Sequence, residues 1–194
     1  MTAASMKTTA GPAQTGVWVG IGAITMSFAA YSSALIVRQG ANPDWLHFTL
    51  PPILFFNTLV VLASSVTLYM ARARGAAPDL PISDAAKVAP NRTWIYLTVG
   101  LGFVFLVGQV LAWRNLAGQG LTLSSGPSSA FFYLLTAMHG LHLLGGLAGL
   151  LYVVYRIRRS SAARAMTSYK AASLYWHFMT VLWLYLFGML VSRI

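Results

Sequence analysis

Thr93–Trp113, TWIYLTVGLGFVFLVGQVLAW, runs without a single charge, and an arginine stands just outside each end, Arg92 and Arg114. At about 1.5 Å per residue, a helix of that length covers about 30 Å, the thickness of the hydrocarbon core of a bilayer. A lone strand would leave its backbone unpaired in lipid, so the run reads as a membrane-crossing helix. The same pattern recurs on both sides of it. Upstream, a span over residues 50–71 is entered through Pro51-Pro52, which suits a first helical turn where amide donors are spare. Before it, no charge occurs between Lys7 and Arg38, and residues 16–37 supply the first span. Downstream, the breaker Leu123-Ser124-Ser125-Gly126-Pro127 leads into a fourth span over 129–155. The last, 171–192, lies between Lys170 and Arg193. The expected fold is all-α: an integral membrane bundle of five transmembrane helices over residues 16–194, after a disordered tail over residues 1–15.

The composition agrees. Hydrophobic residues make up 57% of the 194 and charged residues 8%, whereas a soluble domain needs about a quarter charged to cover its surface. The net charge of +10 would point to nucleic acid in a soluble protein, but here the cations cap apolar runs, so no nucleic-acid partner is expected. Residues Met1 to Thr15 are small and polar, and the first apolar run is too long for the core of a cleavable signal. The absence of cysteine excludes disulfides, iron–sulfur clusters and thiolate metal sites.

Orientation follows from the cations. Lys7, Arg72, Arg74, Lys87, Arg92, Arg156, Arg158, Arg159, Arg164 and Lys170 fall on one side, against Arg38, Arg114 and Arg193 on the other. The positive-inside rule places the N-terminus in the cytoplasm and the C-terminus outside, in a cell's inner (plasma) membrane. The connections are short, so any chemistry belongs inside the bundle or on its faces.

Polar groups at membrane depth mark function or packing. The fourth span holds His139 and His142, three residues apart on one helical face, and the fifth holds Tyr175-Trp176-His177-Phe178. Axial rises put His142 and His177 at a shared level, with Asn57 and Gln109 toward the outer side. Two readings of the histidines stand open. One is ligation of a b-type haem or a metal; the other is hydrogen bonding across helices or to lipid phosphate. His-x-x-His alone is weak evidence for haem, and a metal would want a further converging ligand. Asn57 and Gln109 read as interhelical hydrogen-bonding groups, worth about 0.6 kcal/mol each. Gly16 with Gly20, Gly145 with Gly149, and Gly100, Gly102 and Gly108 permit close helix approach, for internal packing or for docking a partner subunit.

The sequence contains no Glu, and Asp44, Asp79 and Asp84 all lie in connections. A self-contained pump or ion-coupled transporter would lack a buried carboxylate to carry charge. Nucleophilic hydrolysis has no cysteine, no acid near a histidine and no serine in a recognisable turn motif. Catalytic residues are therefore not expected.

These residues resemble subunit III of haem-copper terminal oxidases, cytochrome c and quinol oxidases alike, in a short five-helix form. The resemblance covers roughly residues 16 to 194. It is carried by Phe131-Phe132, Thr136-Ala137-Met138-His139-Gly140-Leu141-His142 with Gly145-Gly146, and by Tyr175-Trp176-His177-Phe178 with Val181-Leu182-Trp183. Leu50-Pro51 with Asn57-Thr58, and Gly102 and Phe105 with Gln109, add weaker matches. The resemblance implies a non-catalytic accessory subunit in aerobic respiratory electron transport. Such a subunit packs on the catalytic subunit I, binds phospholipid and leaves haem and copper to its partners. It implies no metal in this chain, and lipid or interhelical contacts for His139, His142, Trp176 and His177. Four family carboxylates are replaced, at Ile24, Ala112, Lys170 and Thr180, which argues against a proton-collecting role and leaves the packing role intact. The rival readings are a haem anchor ligated through His142 and His177, a subunit of a nitric-oxide-reductase-like complex, and a transporter or stand-alone scaffold.

Overall fold

The computed structural model describes residues 12–41, 45, 47–73 and 89–193. Residues 1–11 of the expected tail, the three aspartates, and Lys7, Arg74 and Lys87 lie outside the described residues. Five helices follow one another: α1 (Pro12–Ala41), α2 (Ile53–Ala73), α3 (Arg92–Gly118), α4 (Pro127–Arg159) and α5 (Ala162–Arg193). Each is long and apolar enough to cross a membrane, and no strand occurs among the described residues.

The helices overrun the apolar spans that announce them. α5 starts at Ala162, well before the expected 171, because Ala162–Lys170 is built of helix formers that need no lipid around them. A charge-free window locates the hydrocarbon crossing; the helix continues through the headgroup layer, where Arg164 and Lys170 are comfortable. The ends are set by local chemistry. Pro51 and Pro52 carbonyls accept from Leu54 and Phe55 amides at 3.0 and 3.1 Å as α2 begins. The Asn91 side chain caps α3 by accepting from the Thr93 amide at 3.0 Å. α3 stops in a Schellman motif: Leu121 donates to the Leu116 carbonyl and Gly120 to that of Ala117, both at 3.0 Å. Gly120 sits there at φ +81°, a left-handed conformation in which any side chain would be strained.

α2, α3, α4 and α5 form a closed ring of neighbours, with α5 against both α4 and α2. α1 stands outside the ring, in the groove between α4 and α5, and meets neither α2 nor α3. The core is filled by Trp176, Trp183, Phe105, Phe132, Leu54 and Leu68. Phe56, Leu59, Val107, Leu141 and Val181 face outward. Large apolar side chains thus lie on both sides of each helix, as hydrocarbon solvent requires.

Candidate functional site

Three indoles tie the ring together in the same way. Trp176 of α5 donates from Nε1 to Ser64 Oγ of α2 at 3.1 Å, and Trp183 donates to Thr58 Oγ1 at 3.0 Å. Trp113 of α3 donates to Thr136 Oγ1 of α4 at 3.0 Å. Each hydroxyl passes its own proton to a carbonyl of its own helix: Ser64 to Val61, Thr58 to Leu54, Thr136 to Phe132. A Ser or Thr oxygen can accept while it donates, so one hydroxyl satisfies itself locally and still receives an indole. Thr67 of α2 and Thr98 of α3 meet at 2.9 Å, and the Tyr169 hydroxyl donates to the Leu68 carbonyl.

Glycines make room for the largest of these anchors. A β-carbon on Gly102 would lie 2.8 Å from Trp176 Cη2, and one on Gly146 would lie 3.2 Å from Trp176 Cε3. Trp176 therefore fills a slot between α3 and α4 that only hydrogen-sized side chains leave open. β-Carbons on Gly145 and Gly149 would meet α5 at ordinary contact distance, while one on Gly16 or Gly20 would meet no atom of another described element within 4 Å.

Asn57 and Gln109 are buried where α2 and α3 face each other. Asn57 donates to the Phe105 carbonyl at 3.4 Å, and its Oδ1 occupies the space that a β-carbon on Gly108 would need. Trp113 bonds Thr136, and a β-carbon on Gly140 would sit 3.9 Å from Leu106, so antiparallel α3 and α4 bring Gln109 level with His139. Asn57, Gln109 and His139 thus share one layer. Asn57 Oδ1, both ends of the Gln109 carboxamide and both His139 nitrogens are buried without a hydrogen-bond partner.

The three intramembrane imidazoles face three different neighbours. His139 is fully buried between Phe105 and Trp183, with ring centroids 5.8 and 5.1 Å away. His142 turns to α1, its ring 5.8 Å from Phe28 and its Nδ1 2.7 Å from the Met138 carbonyl. His177 turns to α2, where its Nδ1 meets the Ser65 hydroxyl. The structure does not bring His142 and His177 together: α5 carries His177 away toward α2, although the Tyr175 hydroxyl reaches the His142 carbonyl at 3.0 Å. Among the described residues no three His, Cys, Asp or Glu side chains converge. Of the replaced carboxylate positions, Ile24, Ala112 and Thr180 are buried, and Lys170 lines a cleft.

Sequence reasoning missed Trp113, Ser64, Ser65, Thr67, Thr98 and Tyr169 as interhelical bonding groups. Their signal is faint, because a Ser or Thr in a helix shows no outward mark of a second partner.

Fold and interior together define a polytopic helical membrane protein in which buried indoles and hydroxyls bond between helices. The chain matches the family model of cytochrome c oxidase subunit III over residues 44–192. It is 32% identical over 168 residues to the probable cytochrome c oxidase subunit 3 of Mycobacterium tuberculosis, covering 82% of this chain and 75% of that one. It is 30% identical over 174 residues to cytochrome c oxidase subunit 3 of Thermostichus vulcanus, covering 86% and 80%. The chain belongs to the cytochrome c oxidase subunit III family of haem-copper oxidases. Neither a haem-bearing anchor nor a nitric-oxide-reductase subunit is favoured by these relatives.

Proposed function

We propose that this chain works as the non-catalytic subunit III of a respiratory oxidase, holding and stabilising the catalytic subunit I and carrying phospholipid. As a member of the family it is a multi-pass membrane protein that assembles with other oxidase subunits. The observation that carries the proposal is the interior itself. Every indole and nearly every hydroxyl there is engaged with a neighbouring helix or its own backbone, and the five helices contain no carboxylate. Such an interior supplies rigidity and shape, and its three imidazoles, His139, His142 and His177, face different neighbours instead of one shared ligand position. Haem and copper then belong to partner subunits, and the orientation in the plasma membrane is N-terminus in, C-terminus out. His142 and His177, each half-buried on a different flank of the α4–α5 pair, serve contacts to helices or lipid.

Purification of the tagged chain in mild detergent, followed by a visible spectrum and mass spectrometry of co-purifying proteins, tests this. A haem-bearing large subunit should accompany the chain, and the separated chain should be colourless. A Soret band that stays with the separated chain would sink the proposal, as would a chain that purifies alone.

A further inference from the structure

The two ends of α1 are seated differently. At the Ala41 end, the Arg193 carbonyl of α5 accepts two side-chain donors, each at 3.0 Å: Gln39 Nε2 from the last turn of α1, and Trp45 Nε1 from the connection to α2. The Arg193 guanidinium donates in turn to Gln39 Oε1 at 3.4 Å. Trp45 also lies against Phe131 in the first turns of α4, with ring centroids 6.4 Å apart. One turn and more below these pins α1 interlocks with its neighbours. Leu35 and Phe28 are 0% and 1% exposed, and the Phe28 ring meets His142 edge-on at 5.8 Å.

Toward the Pro12 end the seating thins. Ile24 and Ile21 keep 9% and 8% of their surface, and Val17 is half-buried. Beside Val17 a groove of about 400 Å³ opens between α1 and the α4–α5 pair. Its far wall includes Gly145 and Gly149 of α4 and Ala171 and Ala172 of α5. Side chains so small form no ridge for a neighbour to lock into, so a helix can approach such a wall or draw back from it.

We propose that α1 is a lever, pinned by Gln39, Trp45 and Arg193 and pivoting at Phe28, whose Pro12 half opens and closes this groove. Pro12–Ala41 is one continuous helix, so it moves as a rod. Val17 stands eleven residues from Phe28, about 16 Å along the axis. A tilt of about 10° at the pivot therefore carries Val17 about 3 Å. Movement at the other end would break three hydrogen bonds and lift Phe28 from its socket, so the smooth wall yields first. The bundle thus has one movable wall.

The chain has no cysteine, so spin labels can be placed in pairs on the full chain in nanodiscs. Double electron–electron resonance then reads the distance distribution of each pair. Val19→Cys with Leu151→Cys joins α1 to α4 at the level of the groove. Val37→Cys with Leu123→Cys joins α1 to the α3–α4 connection at the pinned level. Val66→Cys with Leu151→Cys crosses the ring from α2 to α4 without α1, and all five positions are exposed. The first distribution should be about twice as wide as the other two. A first distribution as narrow as the second would overturn the lever. Equal breadth in the third would also overturn it, by making the spread a property of the labels or of the whole bundle. Q39A/W45F should widen the Val37–Leu123 distribution to match the first, and an unchanged width would overturn the pinned pivot. The comparison of the three pairs stands without that variant.

Discussion

Gln109 and Trp183 occupy the same buried layer and have opposite energetic standing. The Gln109 carboxamide is desolvated with neither end paired, whereas the Trp183 indole is fully buried and bonded to Thr58. An unpaired buried amide costs free energy that an apolar side chain of similar shape does not. Gln109→Met should therefore leave stability unchanged or raise it by about 1 kcal/mol, while Trp183→Phe should lower it by about 1–2 kcal/mol. Thermal unfolding in one detergent, followed by circular dichroism, compares the two. Marked destabilisation by Gln109→Met would mean that the carboxamide has a partner that the described residues do not include.

α5 and α1 differ as elements in how they are held. α5 sends Trp176, Trp183 and Tyr169 to α2 and Tyr175 to α4, so its backbone should open only with the whole bundle. Among the described elements α1 rests on α4 and α5 alone, and a β-carbon on Gly16 or Gly20 would meet no atom of another described element. Local opening follows such differences in contact. Hydrogen–deuterium exchange of the isolated chain should show the amides of α1 exchanging before those of α5; equal protection would contradict the packing order. All five elements could be read from charge-free runs, because hydrocarbon leaves the chain no other structure. The start of α5 could not, since helical turns in the headgroup layer carry Arg164 and Lys170 like any soluble helix. Nor could the facing of the side chains. A helix apolar all round has no periodicity to show its inner stripe, so Asn57 and Gln109 stood out as polar letters while Ser64 and Thr58 looked like ordinary small residues. His142 and His177 shared a level on paper, but rotation about the helix axis, which spacing across two helices does not give, points them at different neighbours.

For the molecule as a whole, the cation distribution predicts how it lies in the membrane. Because the chain has no cysteine, single cysteines can be placed without removing others. Ser161→Cys, in the turn between α4 and α5, should react with an impermeant maleimide only in inside-out vesicles. Ser124→Cys, before α4, should react only from the opposite side. Reversed labelling would overturn the proposed orientation. That turn has a further consequence. α4 and α5 are joined by Ser160 and Ser161 alone, with the Ser160 amide bonded to the Arg156 carbonyl and the Ser161 carbonyl to the Ala165 amide. A joint with no slack fixes the phase of one screw against the other. Removing a single residue there would turn α5 by about 100° about its own axis and swing Trp176 out of line with Gly102 and Gly146, so the joint's length keeps the two helices in gear.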